Sequence, residues 1–254
     1  MKTKKTTLVS SSDNVINFTL PKSWQELTQK QLKAVLVFLS AYAPINALVR
    51  IVCYFTNIII VRKLQTGSFL CILVKENGQH SITLSSDEFN AMCDAMRWVL
   101  EPGNYPVLLN EYCNCKTINP LLRNVPFEKF IMLDNLFQGY LMSRNEEAVV
   151  RMAQIVFEGE NKISRLKPYM FFGIVQWFTQ LKALFALEFT NFFQPMAGCT
   201  PSSIKEAMNA QIRALTGGDV TKEKEVLAID TWRALTELDA KAREAEEFKN
   251  SMNK

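Results

Sequence analysis

Side chains able to do acid–base, nucleophilic or metal chemistry are few in this chain and poorly placed for it. His80 is the single imidazole, and it follows Asn77-Gly78, a dipeptide that marks a tight turn. A catalytic imidazole needs a concave, desolvated site to tune its pKa, and a solvated loop tip offers none. Cys113 and Cys115 form a C-x-C, closer than the C-x2-C of a zinc knuckle, and His80 lies far from them in sequence. Cys53, Cys71 and Cys93 sit among apolar residues, where a thiol behaves as a small hydrophobe. Acidic couples such as Glu158 with Glu160, or Asp94 with Glu101, arise freely among 25 carboxylates and single out no site. The phosphate-binding G-x-x-x-x-G-K-[ST] and G-x-G-x-x-G are missing, as are G-x-S-x-G and H-E-x-x-H. The expectation is a non-enzymatic protein with no catalytic residues, no cofactor and no metal. An enzyme with an unrecognised site is the alternative.

The elements that would position any site must come from a chain of 254 residues, 48% hydrophobic and 21% charged, which has ample material for a core. That length fits one large domain or two small ones. The formal charge of +4 is partly local to Lys2, Lys4 and Lys5. A nucleic-acid binder usually shows a concentrated basic stripe, so no nucleic acid is expected as partner. After the first lysines come Thr, Ser and Asp rather than an apolar run, so the expectation is no signal peptide and a reducing, cytoplasmic setting. Across residues 34–61 the only charge is Arg50, but Pro44, Asn46, Arg50 and Asn57 cut the run below the roughly 20 residues of a membrane span. Two buried helices meeting near Pro44 are expected there, with no membrane contact.

Periodicity predicts a mainly α fold: a helical domain with a small β-hairpin and a long C-terminal helix. Residues 15–20 alternate as a short strand. Ser23 with Glu26 reads as a capping box that starts a helix at Trp24 and carries it to about Tyr42. A second helix follows Pro44. Residues 69–84 read as a hairpin about Asn77-Gly78, with the 15–20 strand paired to it. Ser85 with Glu88 caps another helix, which must stop before Pro102-Gly103. Residues 104–126, with three prolines and the C-x-C, read as a long surface connection. Helices are then expected from Phe127, over 146–157, from Pro168 through a run of aromatics to Pro195, over 202–216, and from Val220 to about Asn250. The expected organisation is a flexible N-terminus at 1–12, a helical domain at 13–197 and a helical C-terminal unit at 199–254.

The last helix is the most informative. Leu227, Ala234, Leu238, Ala242 and Ala245 lie on one face, with Leu235 and Phe248 flanking it, while Ile229 and Trp232 fall on another side. Both strips can pack back on the preceding domain. In the functional reading one strip docks at home, and the other, or the distal end of the helix, meets a partner protein, through Ile229, Trp232, Leu235 and Leu238, with Trp232 as its exposed anchor.

Two segments carry a resemblance. One is Val125-Pro126-Phe127-Glu128 with Leu133-Asp134-Asn135-Leu136-Phe137-Gln138-Gly139-Tyr140-Leu141. The other runs from Met208-Asn209-Ala210-Gln211-Ile212-Arg213 through Gly218-Asp219-Val220-Thr221 to Trp232-Arg233-Ala234-Leu235-Thr236-Glu237-Leu238. With Trp24-Gln25-Glu26-Leu27-Thr28 and Phe192-Phe193-Gln194-Pro195, they resemble an uncharacterised family encoded by phages and prophages of Bacteroidetes. The resemblance implies a place among tail-morphogenesis proteins. It suggests a tail-assembly chaperone that holds the tape-measure protein in the bacterial host cytoplasm, or else a minor structural component of the virion. It carries over no binding residues.

Overall fold

The computed structural model describes residues 6–9, 15–158, 162–193 and 201–252. The fold is mainly α. It divides into two compact units, Met1–Gly103 and Asn104–Lys254. The division therefore falls at Pro102-Gly103 and not at the expected 197–199; residues 194–200 lie outside the described residues.

In the first unit, β1 (Thr6–Val9) pairs antiparallel with β2 (Val15–Phe18). So part of the N-terminus expected to be flexible is a paired strand, and the 15–20 strand pairs with it rather than with the hairpin. Residues 1–5 and 10–14 lie outside the described residues. The helix expected at Trp24 is displaced. Ser23 makes no side-chain cap, and Trp24–Glu26 is a single 3-10 turn. Thr28 instead caps α1 (Gln29–Ala41) in a reciprocal box: its hydroxyl accepts from the Gln31 amide, and Gln31 Oε1 accepts from the Thr28 amide at 2.9 Å. Tertiary burial overrides the local signal here. Trp24 is buried, its indole donates to the Glu101 carbonyl at 3.1 Å, and Trp98 meets it edge-on and donates to the Pro21 carbonyl at 3.1 Å.

Pro44 opens α2 (Pro44–Thr56), which ends on Asn57 in the left-handed region at φ 55°. Three β-branched isoleucines follow, and the chain enters β3 (Ile58–Lys63). Residues 34–61 are thus helix, helix and strand, not two helices. β3, β4 (Phe69–Lys75) and β5 (Gly78–Leu84) form an antiparallel sheet in that order, with a bulge between Ile60 and Arg62. Lys75 pairs with Gly78, so the hairpin turns on Glu76 and Asn77, one residue earlier than the Asn-Gly reading; Gly78 carries the positive φ of 125°. The predicted Ser85–Glu88 capping box opens α3 (Ser86–Met96).

In the second unit, residues 104–126 are not a surface connection. Leu108, Leu109, Tyr112, Cys115, Leu122 and Val125 are buried. A two-stranded hairpin, β6 (Glu111–Tyr112) with β7 (Cys115–Lys116), turns on Cys113 and Asn114, whose φ values of 51° and 59° suit a type I′ turn. An irregular segment can lie inside only if its backbone finds partners, and here side chains supply them. Gln180 Oε1 accepts from the Val107 amide at 3.0 Å, and Trp177 donates to the Pro120 carbonyl at 2.8 Å.

Both of those side chains come from α6 (Pro168–Glu188), which packs beside α5 (Glu146–Val156), itself packed on α4 (Phe127–Ser143). α6 is long and apolar enough to cross a membrane by length and composition alone. Trp177, Phe178, Phe185 and the polar Gln180 are nonetheless fully buried in this unit. Then come α7 (Pro201–Thr216), a 3-10 turn, α8 (Glu223–Ala228) and α9 (Thr231–Met252). α7, α8 and α9 each pack on α4, which is why no separate C-terminal unit begins at 199. The single helix expected from Val220 is broken at Ile229, and Asp230 caps α9 by accepting from the Trp232 and Arg233 amides at 3.0 and 3.2 Å.

Asp239 on α9 latches the chain after α6, accepting from the Asn191 amide at 2.8 Å, Asn191 Nδ2 at 2.9 Å and the Phe192 amide at 3.0 Å. Burial pushes the Asp239 carboxyl up, but these hydrogen bonds and Arg243 outweigh it and hold its pKa below the ordinary carboxylate value. A carboxylate with a lowered folded pKa contributes its full stability above the unfolded value of about 3.9 and loses it as pH falls through the folded one. Asp239→Asn should therefore lower stability at neutral pH and flatten the acid limb below about pH 4, measured by urea unfolding across pH.

Candidate protein-binding surface

The titratable groups weighed in the sequence do not converge. His80 is exposed on β5, its Nε2 at 3.2 Å from Asn77 Oδ1. Glu158 pairs with Lys129 at 2.6 Å, Asp94 pairs with Arg97 at 2.7 Å, and Glu160 lies outside the described residues. Among the described residues no three His, Cys, Asp or Glu side chains are grouped to hold a metal ion. An open cleft of about 610 Å3 in the first unit is lined by residues of β2, the end of α2 and the β4 turn. Among the described residues, its ionisable lining groups are Lys75 and Glu76, both exposed.

The cysteines divide by environment. Burial, with Cys71 and Cys93 nearby and Arg50 opposing, pushes the Cys53 thiol up to about 11. Burial also raises Cys71 and Cys93. These groups stay protonated at neutral pH and are poor nucleophiles. Cys115 is buried, while Cys113, at the turn of its hairpin, is exposed.

The four residues expected to meet a partner are occupied inside their own unit. Leu235 and Leu238 are buried on the face of α9 that packs inward. Ile229 works through its backbone, its carbonyl accepting from the Phe127 amide at 2.8 Å. Trp232 is half-buried rather than an exposed anchor. Its indole donates to the Leu121 carbonyl at 2.6 Å, its ring meets Phe185 and Phe189 edge-on at 5.5 and 5.6 Å, and the Arg123 guanidinium lies 4.2 Å from its centroid. The break at Ile229-Asp230 leaves Trp232, Leu235 and Leu238 packed within this unit, so these residues hold the first half of α9 at home.

Exposed apolar surface lies elsewhere, on a face the sequence reading passed over. Residues directly opposite in an antiparallel sheet share a face. Ile58, Cys71, Leu73 and Leu84 face the interior and are buried. The alternate residues Ile59, Leu70, Ile72 and Val74 line the other face, where Ile59 is 53% and Val74 37% exposed; Val61, in the bulge, is 51% exposed. Arg62 shares this face, while Lys63 and Lys75 fall on the opposite face at the ends of their strands; all three are exposed. The first unit holds eleven Lys and Arg against seven Asp and Glu, and the second eighteen of each, so the whole formal charge of +4 belongs to the unit that bears the band. The signal was present in Ile58-Ile59-Ile60-Val61 after Asn57, an apolar β-branched run that buries only alternate members once it becomes a strand.

Compared with known proteins, the chain matches no family model, no curated protein and no solved structure.

Two outcomes follow. Trp232→Ala should destabilise the fold by about 3 kcal/mol, from lost aromatic packing and an orphaned Leu121 carbonyl, seen as a lower urea midpoint. Among the described cysteines, Cys113 should react first with a thiol reagent at mildly alkaline pH. Cys53 and Cys71 should label only as denaturant opens the fold, which mass mapping of the labelled peptides would check.

Proposed function

We propose that this chain is a non-enzymatic phage protein that works by holding another protein, as a tail-assembly factor in the bacterial host cytoplasm. The observation that carries the reading is the aliphatic band on the outer sheet face, Ile59, Val61, Ile72 and Val74, with Arg62 on the same face and Lys63 and Lys75 exposed at the strand ends. Apolar surface beside Arg62, on the unit that carries the net positive charge, suits an aggregation-prone segment with both apolar side chains and carboxylates. A chaperone for the tape-measure protein meets that description, and the phage-family resemblance of residues 125–141 and 208–238 supplies the context. A minor structural protein of the tail, the second reading, would use the same surface but stay in the particle. No cofactor, nucleic acid or membrane enters either reading.

The test joins particle composition to a targeted variant. Mass spectrometry of purified particles should find the protein absent, while tagged protein recovered during particle production should carry a tail protein with it. Abundance in mature particles would replace the assembly factor with the structural component. Ile59→Asp should reduce recovery of the tail protein about tenfold or more. Its thermal midpoint should stay within a few degrees of the parent, because the side chain is solvated in the free protein. Undiminished recovery with this variant would remove the sheet face from the interaction.

A further inference from the structure

The apolar stripe of α9 does not stop where the fold beneath it stops. Thr231, Ala234, Leu238, Lys241, Ala245, Phe248 and Met252 recur at alternating steps of three and four, the a and d spacing of a coiled coil. The first three are buried against their own unit. From Lys241 onward the helix is exposed on nearly every side, with Phe248 at 63% and Met252 at 73%. Those last twelve residues extend about 18 Å at 1.5 Å per residue, and a helix of that length is marginal alone in water. Glu244, Glu246 and Glu247 lie in its C-terminal half, where the helix dipole disfavours negative charge. A helix so composed calls for a covering surface.

We infer that the distal part of α9 pairs side by side with the same helix of a second copy, as a short parallel two-stranded coil. The charge pattern selects this occupant. With Leu238, Ala245 and Met252 at a, and Lys241 and Phe248 at d, Glu244 falls at g and Lys249 at the following e. A parallel pair sets each g residue against the partner helix's next e residue, so Glu244 meets the second copy's Lys249 twice by symmetry. Neither group is ion-paired among the described residues. Arg243 and Glu247, which point away from the seam at f and c, pair with each other at 4.0 Å. Antiparallel pairing would bring the g-position glutamates Glu237 and Glu244 together. Lys241 at d is the polar residue of the distal seam, and a parallel pair sets it against its own copy, so the association is expected to be weak. The pairing does not rest on the proposed tail-assembly role.

Sedimentation of the full chain from low micromolar to several hundred micromolar tests it. A reversible monomer–dimer equilibrium is expected, weakened at least about tenfold by Phe248→Glu. The urea midpoint should be unchanged, since Phe248 is exposed in the monomer. Lys249→Glu or Glu244→Lys alone should each weaken association about tenfold, and the two together should restore it. A monomer at every concentration would overturn the inference. So would a dimer indifferent to Phe248→Glu, or a double exchange no better than either single change.

Discussion

The second unit depends on a short exchange of backbone hydrogen bonds between residues about a hundred positions apart. The Phe127 amide donates to the Ile229 carbonyl at 2.8 Å, and the Thr231 amide donates to the Val125 carbonyl at 2.9 Å, the bridge of a two-residue antiparallel ladder. The Thr231 hydroxyl, itself buried, donates to the same Val125 carbonyl, and Asp230 accepts from the Asn124 amide. Each side of this exchange is a place where a helix is interrupted or about to begin. Left alone, each would bury unsatisfied N–H and C=O groups at a cost of about 1–3 kcal/mol apiece. Together they satisfy one another, start α4 and α9 side by side, and aim Trp232 at Phe185 of α6 and Phe189 at its end.

The first unit meets the same physical demand with different residues. Trp24, buried, and Trp98, half-buried, each donate an indole N–H to the carbonyl of an irregular segment, Glu101 in one case and Pro21 in the other. Trp177 and Trp232 do likewise for Pro120 and Leu121. All four tryptophans of the chain therefore join a large apolar surface to one backbone acceptor that water cannot reach easily. In both units such rings, more than local helix propensity, decide where irregular chain is tolerated inside the fold.

This explains which parts of the fold were legible beforehand. α3 behind its Ser85 cap and α4 with its apolar periodicity from Phe127 could be read directly because their signals are local. The false start at Trp24 and the missed break at Ile229 have non-local causes: a tryptophan pair 74 residues apart in one case, the ladder to Val125 in the other. Residues 104–126 looked like surface because prolines and polar residues are common there, yet Gln180, Trp177 and Trp232 make their burial affordable in hydrogen bonds. The candidate site was less legible than the fold. Ile229, Trp232, Leu235 and Leu238 suggest a surface only if one helix runs unbroken from Val220, and the break at Ile229-Asp230 seats them within their own unit. The outer sheet face was hidden because 58–61 reads equally well as the end of a buried helix.

β3 is an edge strand, and it carries that outer face along its length. Edge strands with exposed isoleucine and valine invite further strands to add on, which is the first step toward fibrous aggregates. The bulge at Val61 distorts the ladder, and Arg62 and Lys63 place two positive charges beside the rim. Any two copies approaching rim to rim must bring those cations together. The same few residues thus discourage the protein from solidifying on itself while leaving the apolar face uncovered, and they couple its solubility to ionic strength: added salt would relax the guard before it disturbed the core.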